Sequence, residues 1–148
     1  MHLVEWNDEV MALNIDVIDE QHKVLLSTIN QLSTAINSKK QKKEIASIVE
    51  QFLDYADYHF ETEEKLLAQS NFPQRNSHIK THKEFLNNFL KTKEMLQNIK
   101  QDSKYSLIQT SEETYEYILK WFLHHILKDD KEFALHYHKC NIESSNEV

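Results

Sequence analysis

The sequence predicts an all-α protein: an antiparallel, up-down-up-down four-helix bundle with an N-terminal arm and a short C-terminal helix. Three observations carry this expectation. The 148 residues include no glycine and one proline, Pro73. Sheets and barrels use glycine at turns and bulges, so its absence favours long helices joined by short loops. Apolar residues recur at three- and four-residue intervals over four long stretches, the period of a helix with one buried face. The segments between these stretches are short and polar, which makes successive helices antiparallel neighbours. No repeat or low-complexity segment divides the chain, so one domain over 1–148 is expected.

Residues 1–15 have no clear period. Trp6, Val10, Met11 and Leu13 are expected to form an extended arm packed on the domain. A first helix is expected over about 16–38, with Asp16 and Asp19 resembling a capping arrangement. Its buried stripe reads Ile18, His22, Leu25, Ile29, Leu32 and Ile36. The second, about 43–69, carries Ile45, Ile48, Phe52, Tyr55, His59, Glu63 and Leu66. A loop around Pro73 follows, because proline blocks continuation. Ser77 reads as the N-cap of a third helix, about 77–100, with the stripe His78, His82, Phe85, Phe89, Thr92, Leu96 and Ile99. Residues 101–109 look loop-like, and Thr110 with Glu113 forms a capping box opening a fourth helix over about 110–129. Thr114, Ile118, Trp121 and His125 make its stripe. Residues 131–148 are expected to give a short helix containing Phe133, Leu135 and Tyr137, then a disordered tail.

The net charge of −7 disfavours nucleic acid and anionic membranes as partners. The run Lys39-Lys40-Gln41-Lys42-Lys43 reads as a solvated loop and helix start rather than a binding patch. Cys140 is the only cysteine, so no intrachain disulfide forms, which fits a reducing compartment. The N-terminus lacks the basic start and apolar core of a signal peptide, and no run of about 18 apolar residues exists. A cytoplasmic location is expected.

Polar residues on the core stripes are the functional signal. Up-down-up-down topology gathers His22, His59, Glu63, His78, His82, His125 and Asp130 at one end, within roughly 15 Å along the axis. Taken singly, these signals are weak. A His/Glu pair four residues apart is usually a surface pair, and a lone core histidine is usually just hydrogen-bonded. Together, five buried histidines and two buried acids leave many unsatisfied polar groups, which folded proteins avoid. A metal centre satisfies them. Seven donors exceed one tetrahedral zinc and suit a pair of borderline metals, iron being the first candidate. Few anionic ligands favour reversible O2 binding over oxygenase chemistry.

His124/Asp129 and His125/Asp130 share one spacing. His125 follows Trp121 by a turn on the core stripe, so His125 and Asp130 are the candidates. Five residues on a regular helix lie about 140° apart, so the helix must end or bulge between them.

These motifs resemble the hemerythrins, specifically the single-domain bacterial type. The matching pieces are Glu5-Trp6-Asn7, Asp19-Glu20-Gln21-His22, His59-x-x-x-Glu63, His78-x-x-x-His82 and Trp121-x-x-x-His125-Ile126-x-x-x-Asp130. The similarity runs from residue 5 to about 137. It implies a reversible O2 carrier, store or sensor with two iron ions, ferrous or ferric, joined by a bridging oxo or hydroxo. His78, His82 and His125 would hold one iron, His22 and His59 the other, and Glu63 and Asp130 would bridge. The iron with two histidines would keep an open position for O2, in an apolar pocket of Leu25, Phe60, Trp121 and Ile126. A binder rather than an enzyme is expected, as a monomer, with delivery requiring an O2 acceptor protein. The rival is a di-iron enzyme acting on peroxide, nitric oxide or ferrous iron. His136, His138 and Cys140 read as a solvated tail. Glu61 and Glu64 are expected to face solvent, either being able to partner a ligand imidazole.

Overall fold

The computed structural model describes residues 2–100 and 103–146, with no strand among the described residues. The helices are α1 (Asp8–Met11), α2 (Asp16–Asn37), α3 (Lys42–Gln69), α4 (Arg75–Gln97), α5 (Lys104–His124) and α6 (Asp130–Asn146). A π-helical segment, His125–Asp129, joins the last two. α2 packs on α3, α3 on α4, α4 on α5, and α5 back on α2, so consecutive helices close an antiparallel four-membered ring. No described helix is long and apolar enough to cross a membrane.

The arm is not wholly extended. Asn7 caps α1 by accepting from Glu9 N, and Asn30 clamps Val4 by bonding both its N–H and its carbonyl. Asp19 caps no helix of its own. Its carboxylate accepts from Leu13 N at 2.8 Å and Asn14 N at 3.0 Å, fastening the turn before α2. Asn14 has a left-handed φ of 59°, which asparagine tolerates better than most residues.

All six expected stripe residues of α2 are buried. On α3 the stripe shares Ile45, Phe52, His59 and Glu63 with the expectation. The intervening core positions are Val49, Ala56 and Leu67, while Ile48, Tyr55 and Leu66 are half-buried. Helical neighbours lie both three and four residues away, and here small Ala56 faces inward while Tyr55 keeps its hydroxyl near water. Thr92 is half-buried on α4, and Ile99 lies beyond its end. Ser77 sits inside α4, where its hydroxyl donates to Gln74 O, and is not a cap.

α5 begins at Lys104, six residues before the expected start, so Thr110 and Glu113 form no capping box. Thr110 O instead accepts from the Thr114 hydroxyl and Glu113 from Gln109 Nε2. The cause is packing: Leu107 lies against the core and Ser111 is fully buried, which outweighs the polar look of the segment. Gln101 and Asp102, part of the expected loop, lie outside the described residues.

α6 also exceeds its expectation, continuing to Asn146. It is docked. His136 Nε2 donates to Ser70 O and His138 Nε2 to Leu13 O, both at 2.7 Å. The solvated-tail expectation is therefore corrected for these two residues and for Cys140, whose thiol lies 3.8 Å from Ser70 O. Residues 147 and 148 lie outside the described residues.

The core has two parts. The larger includes Leu25, Phe60, Phe85, Phe122 and Ile126; the smaller includes Leu13, Ile15, Ile18, Leu67, Phe72 and Phe133. On α2 the chain passes from Ile18 through His22 to Leu25, and on α3 from Phe60 through Glu63 to Leu67. A polar layer is thus sealed between two apolar ones.

Candidate metal centre

The polar layer contains all seven expected donors. His22, His59, Glu63, His78, His82, His125 and Asp130 are each at most 5% exposed. They form two groups: Glu63, His78, His82, His125 and Asp130, and His22, His59, Glu63 and Asp130. Within each, one donor atom per residue lies within 4.8 Å of all the others. Only the carboxylates of Glu63 and Asp130 belong to both. His2 and His124 are exposed, and neither belongs to these groups.

Local structure aims each donor. His59 and Glu63 stand one turn apart on α3, and His78 and His82 one turn apart on α4, so each pair shares a face. His125 and Asp130 could not do so on a regular helix. The π segment solves this: Asp130 N–H bonds to His125 O, five residues back. The wider turn brings Asp130 under His125, and the expected bulge is present.

Several of the donor atoms crowd without bonding to each other as ordinary polar partners do. His22 Nε2 lies 3.0 Å from Asp130 Oδ2, and His59 Nε2 lies 3.2 Å from Glu63 Oε2. None of these four atoms makes a hydrogen bond, and neither does Asp130 Oδ1. His78 Nε2 and His125 Nε2 each lie 3.1 Å from Asp130 Oδ1, His82 Nε2 lies 3.2 Å from Glu63 Oε1, and His78 also contacts Glu63. His22 Nε2, His59 Nε2, Glu63 Oε2 and both Asp130 oxygens converge without mutual hydrogen bonds and are aimed at shared points between them, as ligands are.

Outer partners strengthen this fit. His82 Nδ1–H donates to Glu64 Oε2 at 3.3 Å and His125 Nδ1–H to Asp129 Oδ2 at 3.0 Å. His59 Nδ1–H donates to Gln21 Oε1 at 2.7 Å, and Gln21 Nε2 donates to the Thr62 hydroxyl. Such bonds place each ring's proton outside and turn a lone pair inward, the tautomer a metal requires. In that tautomer His82 Nε2 and His125 Nε2, 3.0 Å apart, oppose two lone pairs. A metal cation beside them relieves this, as a proton on His125 does in its absence.

Proton equilibria reflect the same charge balance. Burial works against the His78 imidazolium, but Asp130 and Glu63 outweigh it and raise its pKa to about 9. Burial likewise opposes the His125 imidazolium, and Asp130 and Asp129 raise its pKa well above the ordinary value. Burial would lift Glu63, yet the imidazoles of His125, His59, His78 and His82 hold it well below the carboxylate range. Asp130 is pulled down by His125 and His22 against burial and the Glu63 charge. Burial dominates at His59 and lowers it. Protons here occupy a site built for positive charge.

Aromatic rings wall the cluster. Phe60 stacks on His82 at 3.9 Å and Trp121 on His125 at 4.5 Å, while Phe60 lies 5.8 Å from His59. Leu25 and Ile126 are buried in the larger core. The sequence reading missed Phe122, which packs edge-on against His22 at 5.8 Å. It also gives Gln21 no role of its own and sets Asp129 aside in favour of Asp130. Asp129 has a signal in hindsight, four residues after His125; Glu64 meets His82 as one of the two glutamates named, and Glu61 is exposed.

Comparison with known proteins agrees with this geometry. The hemerythrin HHE cation binding domain matches residues 13–135. A bacteriohemerythrin of Stenotrophomonas maltophilia is 28% identical over 139 residues, covering 90% of this chain and 81% of that protein. One from Clostridium acetobutylicum is 31% identical over 132 residues, covering 86% and 96%. A crystal structure of wild-type hemerythrin superposes with a TM-score of 0.75 at 21% identity, covering 92% of this chain and 98% of that one. The chain with this histidine-and-carboxylate layer belongs to the hemerythrin family.

Proposed function

We propose that this protein binds O2 reversibly at a non-haem di-iron centre, for oxygen storage, delivery or sensing. One observation carries the reading: both carboxylates are shared, but three histidines lie on one side and two on the other. His78, His82 and His125 would hold one iron, His22 and His59 the second, and Glu63 and Asp130 would bridge. The two-histidine side is one protein ligand short, which leaves room for a small molecule. When bound, the iron pair supplies the coordination position and the electrons for reversible O2 uptake.

The chain's own residues decide whether uptake reverses. Leu25, Phe60 and Ile126 are at most 3% exposed and offer no proton near the two-histidine side. Phe122 closes the wall beside His22. Trp121, stacked on His125, completes the lining. An apolar enclosure excludes water and slows the proton entry that would turn bound O2 into a released reduced product.

The test is an absorption spectrum of reduced, iron-loaded protein, taken anaerobically, after oxygen, and after an argon sweep. Reversible binding gives a visible charge-transfer band that appears with oxygen and disappears under argon, restoring the colourless reduced protein. A band that never forms, or that decays directly to the oxidised protein, transfers the assignment to an enzyme acting on peroxide, nitric oxide or ferrous iron.

A further inference from the structure

A second set of unusual residues lies at the opposite end of the bundle, where α2 ends and α3 and α5 begin. A cleft of about 760 Å3 opens there. Its inner wall is apolar, with Ile36 and Ile45 buried and Leu107 half-buried. Its mouth carries Lys39, Lys40, Lys43 and Lys104, all exposed. Lys42 also lines it, but its ammonium is committed, donating to Gln97 O at 2.8 Å and Ile99 O at 2.9 Å. The other four are in no ion pair among the described residues. A chain of net charge −7 therefore concentrates unpaired cations around one apolar cleft.

Two further observations fit an anion bound at this end. α3 and α5 both start here, and neither has a side-chain N-cap. Their first turns sit at the positive end of each helix dipole, with no side-chain cap to offset it. Acids are favoured at such positions, yet Lys42, Lys43 and Lys104 occupy them; Glu44 is the one acid in the first turn of α3, and α5 has none. The cleft wall also holds Ser111, fully buried, whose hydroxyl has no hydrogen-bond partner. A buried hydroxyl without a partner is rare in folded proteins.

We propose that this cleft binds a medium-chain carboxylate. The hydrocarbon tail covers Ile36, Ile45 and Leu107. The carboxylate lies among the lysine ammonium groups and the two helix N-termini, at the mouth of the cleft whose wall includes Ser111. The run from Lys39 to Lys43, expected to be merely solvated, is then half of a binding site. Binding here is independent of the chemistry at the other end.

Isothermal titration of the metal-loaded full chain with decanoate, below its micelle concentration, tests this. One decanoate is expected per chain, with 1-decanol and inorganic phosphate each at least tenfold weaker. The surface double variant Lys39→Glu/Lys104→Glu is expected to weaken decanoate at least tenfold, with an unchanged helical circular dichroism spectrum and unchanged metal content. Equal binding of 1-decanol would reduce the site to an apolar crevice, and equal binding of phosphate to a bare anion patch. No saturable decanoate binding, or affinity unaffected by the charge reversal, would equally overturn the proposal.

Discussion

Three of the five clustered imidazoles are held from outside, and their holders differ in charge. His82 and His125 donate to the carboxylates of Glu64 and Asp129, His59 to the neutral amide of Gln21. A carboxylate acceptor raises the basicity of the ring it holds, whereas an amide orients the ring with less electronic effect. Asp129→Asn should therefore lower metal affinity by about 10- to 100-fold, measured by competition with a chelator, while the helical circular dichroism remains. Gln21→Ala should weaken the two-histidine side more than the three-histidine side. Titration gives a second residue-level expectation. The folded, metal-free His78 titrates at about 9 against an ordinary 6.5, so its contribution to stability is full below pH 6.5 and disappears as pH rises through 9. Glu63 and Asp130 are held below their ordinary values of 4.5 and 3.8, so their contribution is present above pH 4.5 and falls away in stronger acid. Metal-free protein should thus have a higher urea midpoint at pH 6 than at pH 9.5. Iron affinity should run the other way and rise from pH 6 to 9, because ligation expels those protons.

The π segment is the element on which the place of Asp130 in the polar layer depends. Its single extra residue per turn places Asp130 in the polar layer and leaves Asp129 as the outer partner of His125. Inserting one alanine after exposed Lys128 should add about 100° of rotation and turn Asp130 out of the layer. The lengthened protein is expected to keep its helix content and lose most bound iron, by metal analysis and far-ultraviolet circular dichroism; full iron retention would mean that Asp130 does not bridge. Elements also show what could be read from sequence. The need for a bulge followed from His125 and Asp130 being about 140° apart on a regular helix, and the seven donors stood out because each interrupts an apolar period. The start of α5 was hidden because its early residues are mostly polar, and only packing of Leu107 and Ser111 makes them helical. Gln21 was hidden differently: which neighbour meets the far side of a ligand ring depends on how two helices are rotated against each other, and no single-helix pattern encodes that.

At the scale of the whole molecule, a layer of seven polar side chains crosses the core between two apolar clusters. Uncompensated, such a layer destabilises the fold, since buried polar atoms without partners cost about 1–3 kcal/mol each. Metal removal should therefore be felt globally. A chelator should lower the thermal midpoint and, at a hundredfold excess of free metal over Kd before removal, cost about 3 kcal/mol of stability. Both core clusters should respond together, so near-ultraviolet and far-ultraviolet transitions are expected to coincide. A lost far-ultraviolet signal in only one part of the chain would show that the layers are held independently.

His22 has a further consequence. It is buried on every side, yet its Nδ1 has no partner, so apart from the contact of its Nε2 with Asp130 only packing fixes the rotation of that ring. The other histidine of its side, His59, has a tether. A ring that can pivot dissociates before one that cannot, and a side with two histidines dissociates before one with three. Dismantling then has a direction: under slow chelation the ion beside His22 should depart first, leaving a half-filled protein with its remaining ion among His78, His82 and His125. Rapid-quench metal counting against time should show two successive phases of equal amplitude rather than one.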